Sequence, residues 1–355
     1  MPNPLYPLAM SYTRHDDETG GFAIPADSAL PGWLSRLPPR WQPYAMLARL
    51  DRPVGIWLLY LPCVMGIAFA KIPAGLGWMD PVWLVLFFIG AVAMRGAGCT
   101  WNDITDRDID GRVARTAARP IPSGAVTVRQ AYLFLLAQLG AAFLIWLALP
   151  WDAKVAALLA LPLVAVYPFT KRVTWWPQAW LGLTFNWGVF VGAAAAAQIT
   201  GPVYFLYAGL VLWTIAYDTI YALQDREDDA LIGVRSTARL FGARAVTYAF
   251  AFHIGAAALV AFAAWQQGAG RLGALAALLF LAHGAWQAWT LSTKGEGRAL
   301  AMFKANVPAG AILAAGLLAS ALLTTFHQPR SLFLDGAPPP GSEAGEPPEA
   351  PPATP

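Results

Sequence analysis

"PVWLVLFFIGAVAMRGAGCTWNDITDRDID", residues 81–110, opens with twenty residues holding one charge, Arg95. It then gathers four aspartates and an asparagine into its last ten positions. About 20 apolar residues cross the hydrocarbon core of a bilayer as a helix. The acids therefore collect where a helix leaves the lipid. A second cluster, "YDTIYALQDREDD" at 217–229, repeats the arrangement more than a hundred residues later.

The rest of the chain has the same character. Only 13% of the 355 residues are charged and 57% are hydrophobic, whereas soluble domains carry about 25% charged residues. Charge-free runs fall at 53–70, 130–151, 155–170, 245–270, 272–293 and 305–329. One further run, 173–217, is too long for a single span, and "TGP" at 200–202 divides it. With the stretch from 81, this predicts an all-α membrane protein of nine transmembrane helices in a bundle. The helices are expected to start near residues 53, 81, 130, 155, 175, 203, 245, 272 and 305.

Basic residues are retained on the cytoplasmic side of a membrane. With nine spans, the N-terminal segment and the even-numbered loops share one face. That face receives all the basic residues except Lys71, Lys154, Arg271 and Arg330. The asymmetry predicts a cytoplasmic N-terminus and a C-terminus on the far side.

Residues 1–44 are Pro-rich, with Asp16, Asp17 and Glu18 where a targeting peptide would avoid acid. Residues 328–355 end in "GAPPPGSEAGEPPEAPPATP", which cannot bury a core. Both read as disordered extensions flanking one membrane domain, 45–327. The basic residues form no long tract and are interleaved with acids, which excludes a nucleic-acid surface. Cys63 and Cys99 lie in separate apolar spans without metal-ligand spacing and read as packed thiols.

Each helical residue advances about 100°, so Asn102, Asp106 and Asp110 fall at about 0°, 40° and 80°, one face across two turns. Asp103 sits at the edge of that arc and Asp108 points away. In the second cluster Asp225 and Asp229 fall within about 20° of Asp218 on either side, a tight stripe, with Asp228 off it. Carboxylates this dense repel one another unless something positive balances them. A hard divalent cation fits: Mg²⁺ takes oxygen ligands and is typically held by one or two carboxylates plus substrate phosphate oxygens. The alternative is a solvated end whose acids pair with neighbouring arginines. EF-hand calcium loops are excluded, because neither cluster has the required Gly and Glu positions. A diphosphate between two metal sites also needs cations. "RTAARPIPSG" at 115–124 and "YPFTKR" at 167–172 lie in loops of the same face. Lys171 can meet phosphate as a point charge and Arg172 as a fork. Arg95 lies inside a span, about 20° from Asn102 on the helical wheel, and an intramembrane charge facing a cavity is a functional candidate.

These residues resemble a known family. "NDITDRDID" is similar to the first aspartate motif of the UbiA-type intramembrane prenyltransferases, "DREDD" to their second, and "YPFTKR" to the Tyr-x-x-x-Lys element between them. "RLDRPVGIWLLYLP", "MRGAGCTWND" and "RTAARPIPSGAVT" resemble the 4-hydroxybenzoate polyprenyltransferase branch. The resemblance spans roughly 45–326. It implies a nine-helix bundle around a polar chamber, open sideways to lipid. It implies Mg²⁺ as cofactor, held by Asn102, Asp106 and Asp110 on one side and by Asp225 and Asp229 on the other, with Asp103 and Asp228 as neighbouring or alternate ligands. Tyr167, Lys171 and Arg172 would bind the diphosphate, Asp225 and Asp218 are further catalytic candidates, and Arg52, Arg95 and Arg119 are candidates for holding substrate anions. For Asp225, phenol activation and removal of the ring proton both stand open. The implied reaction moves a chain from polyprenyl diphosphate to the carbon ortho to the phenol of 4-hydroxybenzoate, a step of ubiquinone biosynthesis, in the cell inner membrane with the site on the cytoplasmic side. Two rivals are a different acceptor (dihydroxynaphthoate, homogentisate, haem or chlorophyllide) and a cation-coupled transporter, whose acids would line an ion pathway near the bilayer centre.

Overall fold

A computed structural model of the protein describes residues 32–111, 116–231 and 233–327; the side chains of Asp225 and Asp228 lie outside what it describes. Nine segments of the described residues are long and apolar enough to cross a membrane. In chain order a short α1 (Gln42–Leu47) precedes α2 (Val54–Lys71), α3 (Asp80–Asp110), α4 (Val128–Ala148) and α5 (Trp151–Val173). A broken span follows, α6 (Pro177–Phe185) and α7 (Gly188–Ala196), then α8 (Gly201–Ala222) and the short α9 (Arg226–Leu231). The described residues end with α10 (Thr237–Phe241), α11 (Ala245–Gln266), α12 (Gly270–Lys294), α13 (Ala299–Lys304) and α14 (Asn306–His327). The described residues include no strand.

The helix starts follow local chemistry. Thr127 caps α4 through the Gln130 backbone N–H while Gln130 reaches back to Thr127, a reciprocal capping box. Gly201 and Pro202 open α8, which places the break in the long charge-free run at the expected point. α3 has 31 residues, about 46 Å at 1.5 Å per residue, well beyond the roughly 30 Å of hydrocarbon. Its last turns, which carry the acids, therefore project past the lipid.

Residues 32–44 differ from the expected disordered extension at 1–44. Leu34 is fully buried, Pro39–Trp41 form a 3-10 turn, and α1 begins at Gln42. Apolar contacts of Leu34 and of Met46 and Leu47 at the end of α1 outweigh the Pro-rich composition there. Residues 1–31 and the tail 328–355 lie outside the described residues.

The core is built mainly by α2, α6, α7, α8, α11, α12 and α14, with Trp213, Phe69 and Phe280 fully buried. Small residues let backbones approach. A Cβ on Gly66 would lie 2.2 Å from the Val189 carbonyl oxygen, and one on Gly192 would lie 2.3 Å from that of Cys63. Polar side chains tie the same helices together. Trp213 Nε1 donates to Asn306 Oδ1 (2.8 Å), and Asn306 Nδ2 donates to Gln287 Oε1 (3.1 Å). Between α6 and α7 the helix breaks at Asn186, whose buried amide donates to the Gly182 and Leu210 carbonyls and to Thr214 Oγ1 (2.8, 3.0 and 2.7 Å). α4 and α5 are the least buried spans and barely touch each other although they are joined by a two-residue link.

Candidate active site

A cavity of about 790 Å³ lies between α2, α3, α4, α5 and the broken α6–α7 span. Its polar end carries Arg49, Arg52, Arg95, Asn102 and Arg119, with Tyr167 and Tyr221 beside them. Its apolar wall comes largely from α4 and α5. Leu136, Leu158 and Leu161 line it and are at the same time exposed on the outside of the bundle. The cavity thus opens sideways, where the two helices splay.

The acidic end of α3 packs against the polar end of the cavity. Asp103, Asp106 and Asp110 are all buried, whereas the side chain of Asp108 is 77% exposed and lies 3.6 Å from Arg107. The helical arc correctly separated Asp108 from the others. Four basic side chains balance the three buried acids. Arg49 Nη2 donates to Asp103 Oδ1 at 2.7 Å, and Arg119 Nη1 lies 3.5 Å from the same oxygen and 2.8 Å from Asp110 Oδ2. Lys171 holds Asp106 Oδ2, and Arg172 Nη2 holds Asp106 Oδ1 at 3.0 Å. Asp103 Oδ2 is buried and has no hydrogen-bond partner.

The four basic partners come from three different elements. Arg49 lies in the turn after α1, Arg119 in the α3–α4 loop, and Lys171 and Arg172 in the last turn of α5. There, cations also suit the negative end of the helix dipole. Burial opposes the charge of Arg49, but Asp103 and Asp51 outweigh it and raise its pKa above the ordinary arginine value.

Arg95 projects from α3 into the cavity wall, its guanidinium 5.2 Å from the ring centre of Phe185. Its Nε is buried without a hydrogen-bond partner. Gly55 makes room for it, since a Cβ there would sit 2.4 Å from that nitrogen. Arg52 Nε donates to Asp51 at 2.9 Å. Tyr167 lines the cavity, with Asp218 and Arg95 as charged neighbours.

The second acidic motif follows α8. The Asp229 carbonyl accepts from the Val234 N–H (3.0 Å) and from Arg239 Nη1 (3.2 Å). The Arg235 N–H donates to the Lys171 carbonyl (3.2 Å), which ties this loop to the end of α5 and to the basic pair on Asp106. Among the described residues no three acidic, histidine or cysteine side chains converge as a metal cage. The donors present are nevertheless oxygen only, and the orphaned Asp103 Oδ2 is the kind of atom a hard cation satisfies.

Sequence reasoning missed Arg49. It was counted only among the basic residues that set topology, because its partner Asp103 stands 54 residues away. Phe185 and Tyr221 were missed as cavity residues for the same reason: an aromatic in an apolar span carries no signal until its neighbours are known.

The described residues thus form a helical membrane bundle with a charged cluster at one end of an apolar cavity. The profile of the UbiA prenyltransferase family matches residues 59–308, and the chain belongs to that family. The mitochondrial 4-hydroxybenzoate polyprenyltransferase of Caenorhabditis elegans is 39% identical over 310 residues, 86% of this chain and 85% of that protein. The Aedes aegypti protein of the same name is 52% identical over 202 residues, 56% of this chain but 45% of its own length. With several of these relatives the chain thus matches only about half of their length. Among solved structures, the apo UbiA homolog from Aeropyrum pernix K1 is 28% identical with a TM-score of 0.63, covering 74% of this chain and 97% of that one. A UbiA homolog from Archaeoglobus fulgidus, bound to GPP and Mg²⁺, shares the fold at 19% identity with a TM-score of 0.59, over 79% of this chain and 99% of its own.

Proposed function

We propose that the protein transfers a polyprenyl chain from polyprenyl diphosphate to the ring carbon ortho to the phenol of 4-hydroxybenzoate, a step of ubiquinone biosynthesis. The observation that carries this reading is the cavity: an apolar wall open to the side, ending at Arg95, Asn102 and Tyr167 beside the ion cluster of Asp106, Lys171 and Arg172. The relatives named above supply the acceptor.

The prenyl chain lies along α4 and α5, and its diphosphate meets Tyr167, Lys171 and Arg172. Asn102, Asp106 and Asp110 would hold one Mg²⁺, with Asp103 beside them, and Asp225 and Asp229 a second, with Asp228 as an alternate ligand. Bound Mg²⁺ supplies positive charge for the leaving diphosphate. Lys171 and Arg172 already sit at the acidic face and stabilise the charge that grows as the allylic C–O bond breaks. Arg52, Arg95 and Arg119 hold substrate anions, and Arg95 faces the acceptor from inside the cavity. The aromatic carbon forms the new C–C bond and then loses its proton, for which Asp218 and Asp225 are the candidate acceptors. Water is kept out by the apolar wall, which protects the allylic cation from hydrolysis. We place the protein in the cell inner membrane with this site facing the cytoplasm, on the strength of its basic-residue asymmetry.

The test is direct. Membranes carrying the protein, given radiolabelled 4-hydroxybenzoate and a series of prenyl diphosphates, should form the prenylated acid and release diphosphate in equal amounts. Turnover with dihydroxynaphthoate or homogentisate and none with 4-hydroxybenzoate would overturn the acceptor assignment.

A further inference from the structure

Arg49 is the one non-glycine residue with a left-handed backbone, φ 58°, among the described residues. Such a conformation is costly for an L side chain and persists where its surroundings over-determine it. Here the surroundings are explicit. Nη1 donates to the Met46 carbonyl at 3.0 Å, Nη2 donates to Asp103 Oδ1 at 2.7 Å, and the residue is buried. Arg119 approaches the same Asp103 oxygen from the α3–α4 loop at 3.5 Å. One oxygen of this fully buried carboxylate is held on two sides, while the other, Oδ2, has no hydrogen-bond partner. A buried polar atom left without a partner is destabilising, so native structures rarely keep one without a use for it. Asp103 stands in the same helical stretch as Asn102, Asp106 and Asp110, all hard oxygen donors.

We propose that Arg49 is a positioning residue for the metal: by fixing Asp103 through Oδ1 it presents Oδ2 as a ligand for the divalent cation at the first aspartate motif. The inference rests on the metal-dependent reading above. Arg49 touches neither the reacting carbon nor the metal; it acts through Asp103. The strained turn at 49 then has a purpose, since it delivers the guanidinium from α1 to α3 at a fixed angle.

The probe is Mn²⁺ alone, titrated into the full-length protein in detergent and followed by electron paramagnetic resonance, with thermal unfolding measured in parallel. Arg49→Asn suits the test because asparagine tolerates the left-handed backbone while losing the guanidinium. It should weaken one Mn²⁺ site about 10- to 100-fold, the scale for losing a group that orients a metal ligand. Asp103→Asn should weaken that site at least as much, and the double variant no further, because the two residues act as one unit. Arg49→Lys should recover part of the affinity, and it carries the test if Arg49→Asn does not fold. Wild-type affinity in a folded Arg49→Asn or Arg49→Lys variant, or strictly additive losses in the double variant, overturns the proposal and leaves the proposed function standing. A wild-type protein that binds no Mn²⁺ overturns both.

Discussion

Arg172→Ala removes a cation whose role differs between the resting and the reacting protein. At rest, Arg172 shares Asp106 with Lys171, one basic group on each carboxylate oxygen. Lys171 remains in the variant, so Asp106 does not become an uncompensated buried charge, and the melting temperature should hardly move. In the proposed reaction, the diphosphate gains charge as the C–O bond breaks, and Arg172 would supply a fork of donors for it. Losing one such donor costs roughly 10²- to 10³-fold in turnover. The Arg172 side chain is 42% exposed, so solvent screens it and the lower end applies, about 10²-fold, equivalent to ~2.7 kcal/mol of transition-state stabilisation. The assay is steady-state transfer in nanodiscs with the prenyl diphosphate varied. Turnover should fall more than apparent affinity, because only interactions stronger in the transition state speed the chemical step. Arg172→Lys should recover part, as charge returns without the fork. A raised Michaelis constant with unchanged turnover would make Arg172 a docking contact and refute the assignment.

Other outcomes follow from the same geometry. Chelation of divalent metal should abolish transfer, and readdition of Mg²⁺ should restore it; full turnover in excess chelator would remove the metal from the mechanism. Asp106→Ala and Asp229→Ala should each abolish transfer while the protein still inserts into membranes, whereas Asp108→Ala should be mild, because that side chain faces away; equal losses at all three positions would defeat the face argument. Gly66→Ala should lower thermal stability by about 1–3 kcal/mol or more, the range for overpacking, since the added Cβ meets the Val189 backbone rather than a side chain that can move; an unchanged melting temperature would contradict the close approach of α2 and α7.

The spans were legible because the bilayer imposes one length on every apolar run. Their starts near 53, 81, 130 and 203 fall within two residues of the observed Val54, Asp80, Val128 and Gly201. The break at Asn186 was not legible. "FNWG" at 185–188 sits in a continuous charge-free run, and the acceptors that stabilise the break, Leu210 and Thr214, belong to another helix. The acidic face showed the same division. Period alone separated Asp108 from Asp106 and Asp110, because that depends only on helix geometry. Which cation meets which acid depends on three different connections folding back onto α3, and no local pattern encodes that. Arg49 could be read only as one more topogenic charge until Asp103 stood 2.7 Å from it.

The two helices that form much of the apolar wall, α4 and α5, contribute little to the packed centre of the bundle. On the proposed reading, recognition of the hydrocarbon tail and stability of the packed centre would be carried largely by different parts of the molecule. Leu136, 62% exposed on α4, a helix that carries none of the charged cluster, can change size with little disturbance to that cluster. In evolutionary terms, if the proposed substrate holds, the tail length a descendant accepts would be free to drift while the headgroup chemistry stays fixed.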